Sequence, residues 1–99
     1  MKIYKYNLPS TPVGKIGVLM PQGAVPLKLG WQRDRANFSI TSLCVWALVN
    51  PNAIVADKQF YICTTGDEVP QWKNENSPWK YLDTAMNNDG QYILHVFFS

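Results

Sequence analysis

Charge, histidine and cysteine are all scarce in this sequence, and each scarcity removes a class of function. Only 16% of the 99 residues are charged, for a formal balance of +2. A dedicated nucleic-acid binder gathers lysine and arginine into a stripe, whereas here they are scattered, so nucleic acid is not the expected partner. The single histidine, His95, and the two cysteines, Cys44 and Cys63, fall short of a tetrahedral zinc site, and the cysteines do not form a Cys-x-x-Cys pair. No serine lies in a nucleophile elbow and no acidic cluster resembles a cage for a hard metal. "TTGDEVP", residues 64–70, has no lysine after its glycine, and Asp67 and Glu68 would repel a phosphate. The expectation is therefore no enzyme and no cofactor. Long apolar runs are also missing: nothing approaches the roughly 20 residues that cross a bilayer, and no signal-like segment opens the chain. That predicts a cytoplasmic protein without a membrane, in which cysteines stay reduced.

What the sequence does have is apolar and aromatic residues, 46% and 13% of the chain. That composition rules out disorder, and the length suits one domain over residues 1–99. Proline and glycine recur every ten residues or so, which suits short strands. Seven strands are predicted: "KIYKYNL", "KIGVLM", "VPLKLGWQR", "NFSITSLCVWALV", "QFYICTT", "KYLDTAM" and "QYILHVFF". Pro26 and Gly30 make the third an edge or bulged strand, since proline offers no ladder donor. Asn88-Asp89-Gly90 predicts a hairpin between the last two. "NPNAIVADK" leaves room for a helical turn. The result is an all-β fold with little helix, a small antiparallel sandwich or partly open barrel.

"SLCVWALVN" also has the continuous apolar character of a buried helix. β-branched and aromatic residues, the preceding alternation and the stop at Asn50-Pro51 favour a strand buried on both faces. The fourth and seventh strands are accordingly expected to be central. If the fourth and fifth strands form a hairpin, Cys44 falls opposite Cys63, within reach of a disulfide. That pairing depends on register. A nucleophilic cysteine needs a base or a cationic neighbourhood, whereas Cys44 is flanked by Leu43 and Val45, so buried inert thiols are the favoured reading.

His95 is expected to share a face with Leu82, Thr84 and Met86, with Thr84 as its cross-strand neighbour, and to be a core histidine hydrogen-bonded to a neighbour rather than a general base. Two stretches offer recognition surfaces. In "QWKNENSPWKY", Trp72-Lys73 and Trp79-Lys80 bracket a polar loop, combining large rigid rings with cations. The competing reading is that the rings cover an open end of the core. In "GWQRDR", Trp31, Arg33 and Arg35 offer an aromatic and two guanidinium forks for carboxylate or phosphate.

The stretches "IYKYNLP", "MPQGAVPLKLGWQ", "VWALVNPNA", "FYICTTGDE" and "YILHVFF" together resemble a family of short bacteriophage and prophage proteins. The matching positions are Lys5 and Tyr6, Pro21, Gly23, Ala24, Gln32, Trp46 to Val49, Pro51, Thr65, Gly66 and His95 to Phe97. The resemblance runs through nearly the whole chain and carries structural motifs without chemistry. It implies a phage accessory product in the cytoplasm of an infected bacterium. The first expectation is a non-enzymatic inhibitor that blocks a host or bacterial-defence protein. The alternatives are sequestration of a nucleotide-like signal and a small virion or assembly part, the last leaving room for a homo-oligomer through an edge strand.

Overall fold

A computed structural model describes residues 1–33, 41–86 and 93–99. It contains seven strands: β1 (Lys2–Leu8), β2 (Gly14–Pro21), β3 (Val25–Arg33), β4 (Thr41–Val49), β5 (Val55–Cys63), β6 (Lys80–Met86) and β7 (Ile93–Phe98). They form two antiparallel sheets, ordered β1-β4-β3 and β2-β5-β7-β6, which pack as an open sandwich. No helix occurs among the described residues. The all-β expectation is thus met, and the sheets do not close into a barrel. The expected Asn88-Asp89-Gly90 hairpin, the start of the fourth predicted strand and Arg35 lie outside the described residues.

β4 is the middle of the smaller sheet because its side chains are apolar in both directions. Leu43, Val45, Ala47 and Val49 point inward and are fully buried. Opposite them, Phe60 and Ile62 of β5 and Leu94 and Val96 of β7 supply the other half of the core. Burying each such large side chain stabilises the fold by about 1.5–3 kcal/mol. Cys44, Trp46 and Leu48 point to the outer face of the same strand.

The expected β4–β5 hairpin does not form, and the reason lies in the turn. Ala53 N–H donates to the Asn50 carbonyl at 3.0 Å, and Asn52 N–H donates to Asn50 Oδ1 at 3.1 Å. Among the described residues only glycines have positive φ, so Pro51 and Asn52 cannot form the type I′ turn that a tight hairpin needs. The turn instead carries the chain across to the other sheet. β5 starts at Val55, where a helical turn was one expectation. A second crossing, at Pro21–Ala24, takes β2 into β3. It uses Gly23 at φ 82° and an Ala24 N–H to Pro21 carbonyl bond of 3.1 Å. Gln22 N–H donates to the Ile54 carbonyl at 2.7 Å and ties the two crossings together.

The sheet edges are guarded against further pairing. β3 is an edge strand with a bulge between Pro26 and Lys28, as its proline foretold. β1 and β2 carry Lys2, Lys5 and Lys15 along their edges, a common way to discourage strand addition. β3 and β6 face each other at one side of the sandwich, where Lys28 Nζ meets Asp83 at 3.1 Å. Burial alone would raise the Asp83 pKa. The Thr84 amide, Lys28 and the Leu29 amide outweigh that and lower it.

Candidate functional site

Register brings three aromatic residues into one row on the outer face of the larger sheet. Tyr61 of β5 is opposite Phe97 of β7, and Phe97 is opposite Tyr81 of β6. A bulge between Tyr81 and Asp83 puts Tyr81 in this row, where Leu82 was expected. Leu82 turns to the core instead. The next row holds Cys63, His95 and Thr84.

Residues 64–79 fold across this face. The segment begins with a turn in which Gly66 takes φ 96°, Asp67 N–H donates to the Thr64 carbonyl at 3.1 Å, and Asp67 Oδ2 accepts from Thr64 N–H at 3.0 Å. Its polar middle is equally ordered. Ser77 N–H reaches the Asn74 carbonyl at 2.8 Å, Asn76 N–H reaches Asn74 Oδ1 at 3.0 Å, and the Ser77 hydroxyl bonds the Gln71 carbonyl. This turn delivers the two flanking tryptophans to the aromatic row. Trp72 lies 5.9 Å from both Tyr81 and Phe97, and Trp79 meets Tyr61 edge-on at 5.9 Å. Tyr81 and Phe97 are themselves 5.4 Å apart.

The choice between contact surface and core lid thus divides between the tryptophans. Trp79 is half-buried, whereas Trp72 and Tyr81 stay 37% and 42% exposed while Phe97 beneath them is 3% exposed. Lys73 Nζ stands 5.1 Å from the centroid of the Trp72 ring, and Lys80 is exposed at the start of β6. A groove of about 310 Å³ opens between the 64–67 turn and the rings, lined by Thr65, Asp67, Val69, Trp72, Tyr81, His95 and Phe97 among others. His95 is held there from both sides: Nε2 bonds Thr65 Oγ1 and Nδ1 bonds Thr84 Oγ1, each at 2.8 Å. The Tyr81 hydroxyl also bonds Thr84. The expected Thr84–His95 pairing is present and hydrogen-bonded, but on an outer face beneath the loop rather than in the main core.

The cysteines do not meet. Cys44 is opposite Asn7 and Gly30 in one sheet, and Cys63 is opposite His95 in the other. Their neighbours Leu43, Val45 and Ile62 occupy the core between the sheets, so the two thiols project outward on opposite sides of the sandwich. The cross-strand pair is replaced by two free, buried thiols. Cys44 bonds Asn7 Oδ1 at 3.4 Å, and the Lys5–Gln32 hydrogen bond runs diagonally over β4 beside it. Burial raises the pKa of Cys44, with Lys5 opposing; burial and then the Asp67 charge raise that of Cys63. Neither is an activated nucleophile.

The second predicted surface is divided. Trp31 is opposite Leu43 and packs half-buried against the core, Arg33 is exposed at the end of β3, and Arg35 lies outside the described residues. Sequence reasoning missed the Tyr61–Phe97–Tyr81 row; the signal was three aromatics in three strands, but lining them up needs the β5–β7 pairing and the β6 bulge. No group of three or more His, Cys, Asp or Glu placed to hold a metal occurs among the described residues. Nor is any helix there long and apolar enough to cross a membrane.

The fold and face define a small two-sheet β-sandwich with a loop-built aromatic layer on one outer side. The chain belongs to the family described as a domain of unknown function (DUF7352), whose profile matches residues 1–99. No curated protein and no solved structure matches it.

Proposed function

We propose that this chain is a non-enzymatic binding protein, a bacteriophage accessory product that occludes a host or bacterial-defence protein in the infected cytoplasm. The observation that carries the reading is the aromatic layer: Trp72 and Tyr81 are exposed yet held in place over a buried Phe97. Rings already ordered before contact lose little entropy on binding, and Trp and Tyr dominate interface energies for that reason. Lys73 beside Trp72 adds a cation to the same surface. The phage setting draws its support from the sequence motifs. The non-enzymatic part draws on the protonated, buried thiols and on the engagement of both imidazole nitrogens.

A tagged wild-type chain passed over bacterial lysate is expected to retain one protein in stoichiometric amount. The variant carrying Trp72→Ala and Tyr81→Ala should lose it while keeping the strand circular-dichroism spectrum and a cooperative transition, at a lowered melting temperature because both rings pack on Phe97. A wild-type chain that retains no stoichiometric partner sinks the reading. Sequestration of a nucleotide has less support, because the groove presents the Asp67 carboxylate and Trp31 is committed to packing.

A further inference from the structure

We infer that the groove beside Trp72 is a receptor for a cationic side chain, a guanidinium, supplied by the partner protein. This deepens the binding role proposed above and rests on it for the source of the cation. Three features of the groove converge on that chemistry. The first is its aromatic wall. Trp72, Tyr81 and Phe97 meet there at centroid distances of 5.4–5.9 Å, and aromatic faces carry the negative end of a quadrupole that attracts cations. A planar guanidinium stacks on such faces better than a compact ammonium does.

The second is charge. Asp67 is the acidic residue of the lining, and no lysine or arginine among the described residues lines the groove. Its Oδ2 accepts from Thr64 N–H, which holds the carboxylate in the turn beside the groove. Oδ1 has no such bond in the turn and is the oxygen that can meet a ligand N–H.

The third is that the protein already uses the same ring in this way. Trp72 also lines a second hollow with Val69, Gln71 and Asn74, and Lys73 lines that hollow alone. There the Lys73 ammonium stands 5.1 Å from the indole centroid. Lys73 thus accompanies the ring in the second hollow and is absent from the lining of the Asp67 groove. A volume of about 310 Å³ leaves ample room for the end of one long side chain.

The test uses N-acetylarginine amide and N-acetylcitrulline amide, which share shape but differ in charge, titrated into the full chain. Amide and indole shifts are followed by two-dimensional NMR. Arginine is expected to move the Trp72 indole and the Gly66 amide, and citrulline to bind at least about threefold more weakly, as one exposed cation–π contact with a carboxylate predicts. Asp67→Asn keeps an acceptor oxygen for Thr64 and so preserves the turn; it should narrow the gap between arginine and citrulline to the part the rings supply. Trp72→Phe should retain a preference for arginine, and Trp72→Ala should abolish it. Equal affinity for the two probes, no shift with either, or an arginine preference unmoved by Asp67→Asn overturns the inference. Its failure is separable from that of the binding role. A partner captured equally well by wild type and Asp67→Asn removes the cation site alone, whereas arginine selectivity without any stoichiometric partner removes the occlusion role alone.

Discussion

The outer faces of the two sheets started from similar chemistry and ended differently. On the smaller sheet Ile3, Leu27, Trp46 and Leu48 form an apolar face with no layer of described residues above it, and Ile3 and Leu27 are 61% and 47% exposed. The Trp46 ring lies down over Gly30, where a Cβ would come within 3.3 Å of its edge. On the larger sheet residues 64–79 roof the row Tyr61–Phe97–Tyr81 with two more aromatics. The comparison teaches that outward apolar residues on a two-layer sandwich become a third layer only where a connection is long enough and brings its own anchors. One face has a single ring flattened on a glycine. The other has a small second core with an open rim.

The sharpest way to break this comparison is to delete one ring from each face. Phe97→Ala should cost about 3–5 kcal/mol, the range for a buried aromatic. Trp46→Ala, half-buried on the open face, should cost roughly half as much. Urea midpoints measure both, and equal losses would mean that the loop roof adds no packing.

The thiols sharpen it next. Cys44 sits on the bare face and Cys63 under the roof, yet both are buried with raised pKa values. A thiol-specific reagent at neutral pH should therefore modify neither in the native protein and both in denaturant. Fast labelling of Cys44 alone would show that the Lys5–Gln32 bond does not screen it.

Smaller effects come from the side of the sandwich where β3 and β6 meet. The folded Asp83 pKa lies below its ordinary value, so its contribution is present at neutral pH and is lost as pH falls below about 4 and the carboxyl protonates. Lys28 is 72% exposed, so solvent screening holds the cost of Asp83→Asn to about 1 kcal/mol or less. The difference between wild type and variant should vanish in acid; a difference that persists there would place the effect in packing.

Least of all should Gly30→Ala change. A strand glycine gives up about 0.5–1 kcal/mol relative to alanine, and Trp46 has open space into which to shift by a few tenths of an ångström. A net gain of up to about 0.5 kcal/mol in thermal unfolding is expected. A loss above about 1 kcal/mol would show that the indole is pinned, and the bare face more tightly built than its exposure suggests.

Much of this was readable from the sequence. The strand of Lys2–Leu8, the edge character of β3 at Pro26, the central place of β4 and the Thr84–His95 pairing all follow from alternation and from proline chemistry. The β4–β5 turn and the cysteine register were not readable. Asn50-Pro51 stops a strand whether the next one returns beside it or crosses to another sheet. The division of labour between Trp72 and Trp79 was equally hidden, since both flank the same polar turn and differ only in which ring of the row each one meets.

The sequence by itself determined that this chain is a set of short strands with two apolar faces along β4, because side-chain alternation and turn chemistry act within a few residues. Only the tertiary structure decided which sheet each strand joined, and with it the separation of the cysteines and the assembly of five aromatic residues into one layer, three of them lining a groove. Those outcomes depend on hydrogen bonds between segments far apart in the chain, which local pattern does not encode.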